Sequence, residues 1–166
     1  MPKNRRPARL GAYDPGARLF DEVNLQLLTE LQANPRLSTA ELARRVAMSA
    51  PAVTERVQRL ERAGVIKGYR TEIDPAGVGL PVTAFARIRP LPGSLPKIAE
   101  LAAEIPWVSE CYRITGEDCF LVKLHAHAID ELEEILDRFL TYGNTTTSIV
   151  VSTPVEQRHP PLPAPT

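Results

Sequence analysis

Apolar residues recur at helical spacing at Val23, Leu27, Leu28 and Leu31, and Asn34-Pro35 ends that stretch. Next, Ser38-Thr39-Ala40-Glu41 has the form of a capping box. In such a box the Ser hydroxyl accepts a backbone N–H while the carboxylate three residues on reaches back. The helix it opens is about two turns long and buries Leu42, Ala43 and Val46. After a tight connection through Ala47-Met48, Ser49 is placed to cap a third helix with Pro51 in its first turn. That helix buries Val53, Val57 and Leu60 and stops at Ala63-Gly64. Two helices about four residues apart, the second longer and richer in Arg, have the shape of a helix-turn-helix.

The pattern changes after the breaker cluster Asp74-Pro75-Ala76-Gly77-Val78-Gly79-Leu80-Pro81. Over residues 81–89 Val82, Ala84, Ala86 and Ile88 alternate with Thr83, Phe85, Arg87 and Arg89, which predicts a strand. Leu95, Ile98, Leu101 and Ala102 predict a helix that ends near Ile105-Pro106. Strands at 108–115 and 119–126 flank a Thr115-Gly116-Glu117-Asp118 turn. Ile129, Leu132, Leu136 and Phe139 predict a second helix, stopped at Tyr142-Gly143-Asn144, and a last strand covers about 146–152. The order β-α-β-β-α-β fits a ferredoxin-like sandwich. The expected fold class is therefore α+β: an N-terminal winged-type helix-turn-helix and a C-terminal ferredoxin-like βαββαβ unit. Helices cover only one face of such a sheet, so the other must pair with a second copy or bind something.

The expected organisation is a basic arm at 1–17, a helix-turn-helix at 18–70, a hinge at 71–80, the sandwich at 81–153 and a Pro-rich tail at 154–166. Half of the 16 prolines lie in residues 1–15 and 154–166, and the tail reads as extended and mobile. The formal net charge is zero, but it is unevenly spread. Residues 1–70 carry 13 Lys/Arg against 7 Asp/Glu, and residues 71–166 carry 7 against 13. A polyanion would be attracted to the first half and repelled by the second. No apolar run approaches the ~20 residues of a membrane helix, and no signal-peptide pattern opens the chain, which points to the cytoplasm. Two cysteines, Cys111 and Cys119, are too few for a Cys-rich zinc site. On a hairpin turning at Gly116-Glu117 they face positions 122 and 114 and not each other, so both are expected to be reduced.

With Val53, Val57 and Leu60 inward, Ala50, Thr54, Arg56, Gln58 and Arg59 are left on the outer surface of the third helix. Groove recognition needs a helix with a small N-terminal end, which Ser49-Ala50-Pro51 supplies, and donors beyond it for base edges and phosphates. Arg44, Arg45 and Lys67 are candidate phosphate contacts, which set register without reading sequence. The basic arm, with Lys3, Arg5, Arg6 and Arg9, suits either a minor groove or a solubilising tail.

These segments resemble the Lrp/AsnC (feast/famine) regulators. The resemblance is carried by Phe20-Asp21-Glu22, by Leu37-Ser38-Thr39-Ala40-Glu41-Leu42-Ala43 and by the continuous stretch Met48 to Tyr69. Thr115-Gly116-Glu117-Asp118 and Thr146-Thr147-Ser148-Ile149-Val150 extend it, so it spans about residues 18–152. It implies a transcription regulator that binds double-stranded DNA and responds to a small effector, usually an amino acid. It further implies a homodimer formed through the sheets, often built into octamers; no resident cofactor or metal is expected. The implied effector residues are Gly116 and Asp118, with Thr146 and Ser148 as weaker candidates. The chemistry agrees: a carboxylate holds an α-ammonium, and backbone N–H groups of a Gly-containing turn hold an α-carboxylate. Asn24 stands where the family usually has an acidic residue, and Cys119 replaces the common aromatic.

Two rivals remain from the sequence. Sirohaem decarboxylases resembling this family share the two-module architecture, and His125, His127 and Tyr112 would be their chemistry here. A large pocket with convergent Arg and His would be required, and the second half has few Arg. No Gly-rich phosphate loop, nucleophile elbow or metal-spaced His pair on a helix is present. The other rival is an effector-binding assembly module without specific DNA binding.

Overall fold

The computed structural model describes residues 19–165, which form two compact units. The basic arm lies outside the described residues. One unit comprises residues 19–70 together with residues 157–165, and the other runs from Thr71 to Glu156.

The first unit holds α1 (Glu22–Ala33), α2 (Thr39–Arg45) and α3 (Ala50–Arg62). Each start has a local cause. The Asp21 side chain accepts the Asn24 N–H at 2.8 Å, and Ser38 Oγ accepts the Glu41 N–H at 3.2 Å. The Glu41 carboxylate does not reach back as a full capping box requires; it pairs with Arg44 and Arg45. Ser49 occupies the N-cap of α3, but its side chain makes no capping bond there. The α2–α3 turn relies on Ala47 at φ 52°, a left-handed backbone that alanine adopts at a cost, and Met48 N–H closes it on the Ala43 carbonyl at 3.0 Å. Leu27, Leu42, Ala43, Val46 and Val53 form the main core of this unit. Residues 65–74 follow α3 without a paired strand.

A polar clamp joins α1 to α3. Arg56 Nη1 donates to Asp21 Oδ2 at 2.6 Å and to Asn24 Oδ1 at 3.0 Å, and Asn24 is 1% exposed. Asn24 Nδ2 donates in turn to the Leu19 carbonyl at 3.2 Å, so the buried amide is satisfied. A second tie runs from α2 to α1: Arg45 Nη1 lies 2.6 Å from Glu30 Oε2, and Gln26 Nε2 donates to the Arg45 carbonyl at 2.9 Å.

The second unit is one four-stranded antiparallel sheet of order β2-β3-β1-β4, with α4 (Leu95–Glu104) and α5 (Ile129–Leu140) on one face. The strands are β1 (Val82–Pro90), β2 (Val108–Arg113), β3 (Phe120–Ala126) and β4 (Gly143–Ile149). Register follows the alternation: Ala84, Ala86 and Ile88 pair with Leu124, Val122 and Phe120, all essentially fully buried. Ile98, Ala102, Leu132, Ile135 and Phe139 close over them from the helices. Burying each large side chain of this set contributes about 1.5–3 kcal/mol. Cys111 lies opposite Val122, Ile114 N–H donates to the Cys119 carbonyl, and both thiols are free.

Strand boundaries differ from the expectation: β2 ends at Arg113 and β4 spans Gly143–Ile149, in place of strands running to 115 and over about 146–152. The last strand begins at Gly143, inside the stretch read as a helix stop, because Gly143 pairs with Pro90. A Cβ there would lie 2.6 Å from the Arg89 carbonyl oxygen and 3.0 Å from Ile88 Cγ2, so Gly143 marks a close backbone approach.

Two outcomes are expected. Gly143→Ala loses about 1–3 kcal/mol in urea unfolding, because the clashing atom is backbone and cannot swing aside. Arg56→Ala destabilises the helical unit and flattens its acid sensitivity. Desolvation alone would raise the Asp21 pKa, but the Arg56 hydrogen bond, the Asn24 N–H and the charges of Arg56 and Arg59 outweigh it and hold the carboxyl below its ordinary value. A lowered folded pKa contributes stability above the ordinary aspartate value that is lost as pH falls through the folded one. Urea titrations of wild type and variant from pH 6 to pH 3 should converge toward the acid end.

Candidate DNA-binding surface and sensor pocket

Helix α3 presents its exposed side through Ser49, Pro51, Thr54, Gln58 and Arg59, with Ala50 half-buried among them. The leading turn is small, and Thr54 Oγ1 donates to the Ala50 carbonyl at 3.0 Å, which keeps that hydroxyl against the helix. Lys67 is exposed just beyond the helix. The Arg44 side chain is 74% exposed and pairs with the Glu41 carboxylate.

Two of the expected contacts are placed differently. Arg56 does not stand on the outer surface: its guanidinium is turned to the start of α1 and bound by Asp21 and Asn24. The reason is charge placement, since Asp21 caps α1 at the point where Arg56 emerges from α3. Arg45 is exposed, but its charge is met by Glu30 at 2.6 Å and Glu41 at 3.3 Å. Hydrogen bonds donated to Glu30 and then to Glu41 hold the guanidinium protonated still more firmly than usual. Helical periodicity places these side chains on a face but does not say which neighbour they meet.

In the second unit the Thr115–Asp118 turn borders an open pocket of about 320 Å³ lined by Arg87, Arg89, Ile114, Thr115, Gly116, Glu117 and Asp118. Gly116 has φ 108°, a backbone that side chains rarely adopt, so glycine lets this turn form. Arg89 reaches Glu117 at 2.6 Å and Asp118 at 3.3 Å, and Arg87 lies 3.9 Å from Asp118. The sequence alone places both arginines on the outward parity of the β1 alternation and names neither as an effector contact. Their parity already placed them on the helix-free face; their convergence on the turn is a tertiary fact.

Thr146 lies opposite Arg87 on β4, and Ser148 lies opposite Phe85. Both belong to the helix-free face, and neither lines the pocket. Cys119 borders the turn, its thiol donating to the Gly116 carbonyl at 3.2 Å.

The histidines do not converge. His125 is held on the sheet between Thr83 Oγ1 and Ser109 Oγ, each 3.0 Å away, and desolvation with the nearby Lys123 charge lowers its pKa against the pull of Glu110. His127 lies beyond the end of β3 and pairs with Glu131 of α5 at 2.8 Å. Among the described residues no cluster of three or more metal-ligating side chains occurs, and no helix is long and apolar enough to cross a membrane.

Two family models match the two units in turn. Residues 20–67 match a winged helix-turn-helix DNA-binding domain, and residues 83–160 match the Lrp/AsnC ligand binding domain. LrpC of Bacillus subtilis, an HTH-type transcriptional regulator, is 33% identical over 133 residues, which cover 80% of this chain and 92% of that protein. LrpA of Mycobacterium tuberculosis is 37% identical over 137 residues, covering 81% and 91%. The solved feast or famine regulatory protein of M. tuberculosis, complexed with L-methionine, superposes with a TM-score of 0.76 at 35% identity, covering 84% of this chain and 97% of that one. The rival reading as a decarboxylase finds no support in these relatives, which are named as regulators. A capped helix-turn-helix followed by a sandwich with one bare sheet face is thus the plan of a known group, and the chain belongs to the Lrp/AsnC family of DNA-binding transcriptional regulators and is not an enzyme.

Proposed function

We propose that the leading half of α3 reads base edges in a major groove and that the Gly116 turn senses an amino acid. The observation that carries the first part is the small leading turn formed by exposed Ser49 and Pro51 with half-buried Ala50 between them, and by Thr54 and Gln58 one and two turns further on. Small side chains let the helix axis approach the bases, and the Gln58 amide supplies the paired donor and acceptor that an adenine edge requires. Arg59, Arg44 and Lys67 contribute charge toward phosphates. Arg56 acts from behind, by holding α3 against α1. Arg45 serves the α1–α2 tie more than the DNA.

The sensor reading rests on the juxtaposition of Asp118 with Arg87 and Arg89 around a left-handed glycine. A zwitterionic amino acid matches this set. Its ammonium takes the place of an arginine against Asp118, while its carboxylate takes the released guanidinium and the turn N–H groups. The exchange conserves ion pairs, so binding and release cost little in unpaired charge. Thr146 and Ser148 stand on the same helix-free face, on β4 beside β1 and outside the pocket lining. The bare sheet face suits pairing with a second copy into a homodimer, and such dimers can assemble into octamers. L-methionine, which is bound by the M. tuberculosis relative, is the first effector to try.

Fluorescence anisotropy on a duplex from the region upstream of the protein's own gene, against a scrambled duplex, tests the first part. Gln58→Ala should weaken binding to the specific duplex by about 1–3 kcal/mol and leave the scrambled one unchanged. Lys67→Ala should weaken both alike and reduce the salt slope by about 1. Equal affinity of the unaltered protein for both duplexes would favour an assembly module over a sequence reader at this promoter. For the sensor, Asp118→Asn should abolish calorimetric binding of L-methionine, or of the amino acid that a panel identifies, while DNA affinity without effector stays within twofold. Undiminished binding to the variant would place the effector elsewhere.

A further inference from the structure

We infer that the segment after the sandwich is a fixed part of the DNA-binding unit: a Pro-rich strap that seats Leu162 in the apolar seam between α1 and α3. Every described residue from Val151 to Pro161 is exposed, and so are Pro163, Ala164 and Pro165. Leu162 alone turns in. It packs on a cluster formed by Phe20, Leu28 and Leu60, which are 5%, 6% and 0% exposed, with Val65 and Ile66 at the rim. Residues 157–165 accordingly group with the helical unit and not with the sandwich from which they emerge.

The sequence chemistry suits a strap. Prolines at 160, 161 and 163 flank the leucine and restrict the backbone to extended conformations. An already stiff segment loses little conformational freedom when it docks, so one apolar anchor is enough to hold it. The seam has a corresponding need. A three-helix unit of this size buries little apolar surface, and the Phe20–Leu28–Leu60 cluster is a satellite separate from its main core. The leading turn of α3 takes no part in this cluster, so the strap leaves the proposed reading face uncovered.

The consequence is topological. The chain leaves the helical unit after Arg70 and returns to it at Gln157, so the sandwich is an insertion held at both ends. The second tether is continuous with β4, whose last residue, Ile149, lies only a few residues before the strap. Reorientation of the sandwich must therefore either carry the strap with it or withdraw Leu162 from its seat.

Hydrogen exchange with mass spectrometry on the full chain, compared with Leu162→Asn and with a chain ended after Glu156, tests the strap. Peptides from α1 and α3 should exchange roughly fivefold faster or more in both variants, while peptides from β1, β3 and α5 are unchanged. A synthetic peptide of residues 154–166 at millimolar concentration should restore protection to the shortened chain, and the same peptide carrying Leu162→Asn should not. Unchanged exchange in α1 and α3 would overturn the inference. So would a loss spread equally over the sandwich strands, because the seat of Leu162 is made by residues of the helical unit. If the shortened chain does not fold, the single substitution in the full chain decides alone.

Discussion

Side-chain alternation along β1 governs the sensor unit. One parity of the strand, Ala84, Ala86 and Ile88, is sealed beneath α4 and α5, which compels the other parity, Arg87 and Arg89 included, onto the face that no helix covers. A slip of one residue would bury two guanidinium groups and expose the core, at a cost no local preference could offset. Everything on the bare face follows from that choice. The arginines stand where the Thr115–Asp118 turn comes down, their charges collect Glu117 and Asp118, and a pocket remains between.

The helical unit solves a comparable problem with fewer apolar atoms. Its core is small, and two polar ties supplement it: Arg56 to Asp21 and Asn24, and Arg45 to Glu30. Asn24 is the buried member, and both ends of its amide are engaged, the oxygen accepting from Arg56 and the nitrogen donating to the Leu19 carbonyl. An acidic residue at position 24 would pair with Arg56 as an ion; the asparagine keeps the hydrogen bond without a second buried charge. The same residues cap α1, so helix initiation and helix packing are parts of one network.

Much of this was legible in the chain. The helix start at Ser38, the alternation of β1 and the charge reversal near residue 71 all rest on short-range chemistry. The family followed from the continuous match over Met48 to Tyr69 and from the Gly116–Asp118 turn. What stayed illegible were partners far apart in sequence. Arg56 read as a DNA contact because helical periodicity put it outside the Val53–Leu60 stripe, and nothing local reveals a carboxylate 35 residues upstream.

By itself, then, the sequence determined the two-unit plan, the elements, the buried parity of β1 and the family, because these depend on spacing, capping and turn chemistry within a few residues. Tertiary structure decided which charges are spent internally and which remain for a partner. It turned Arg56 inward, matched Arg45 with two carboxylates, brought Arg87 and Arg89 to Asp118, started β4 at Gly143 and seated Leu162 on α1 and α3. The physical reason is the range of the forces involved. Backbone preference and hydrophobic period act between near neighbours, whereas an ion pair or an apolar seat forms only where folding brings distant residues within a few ångströms.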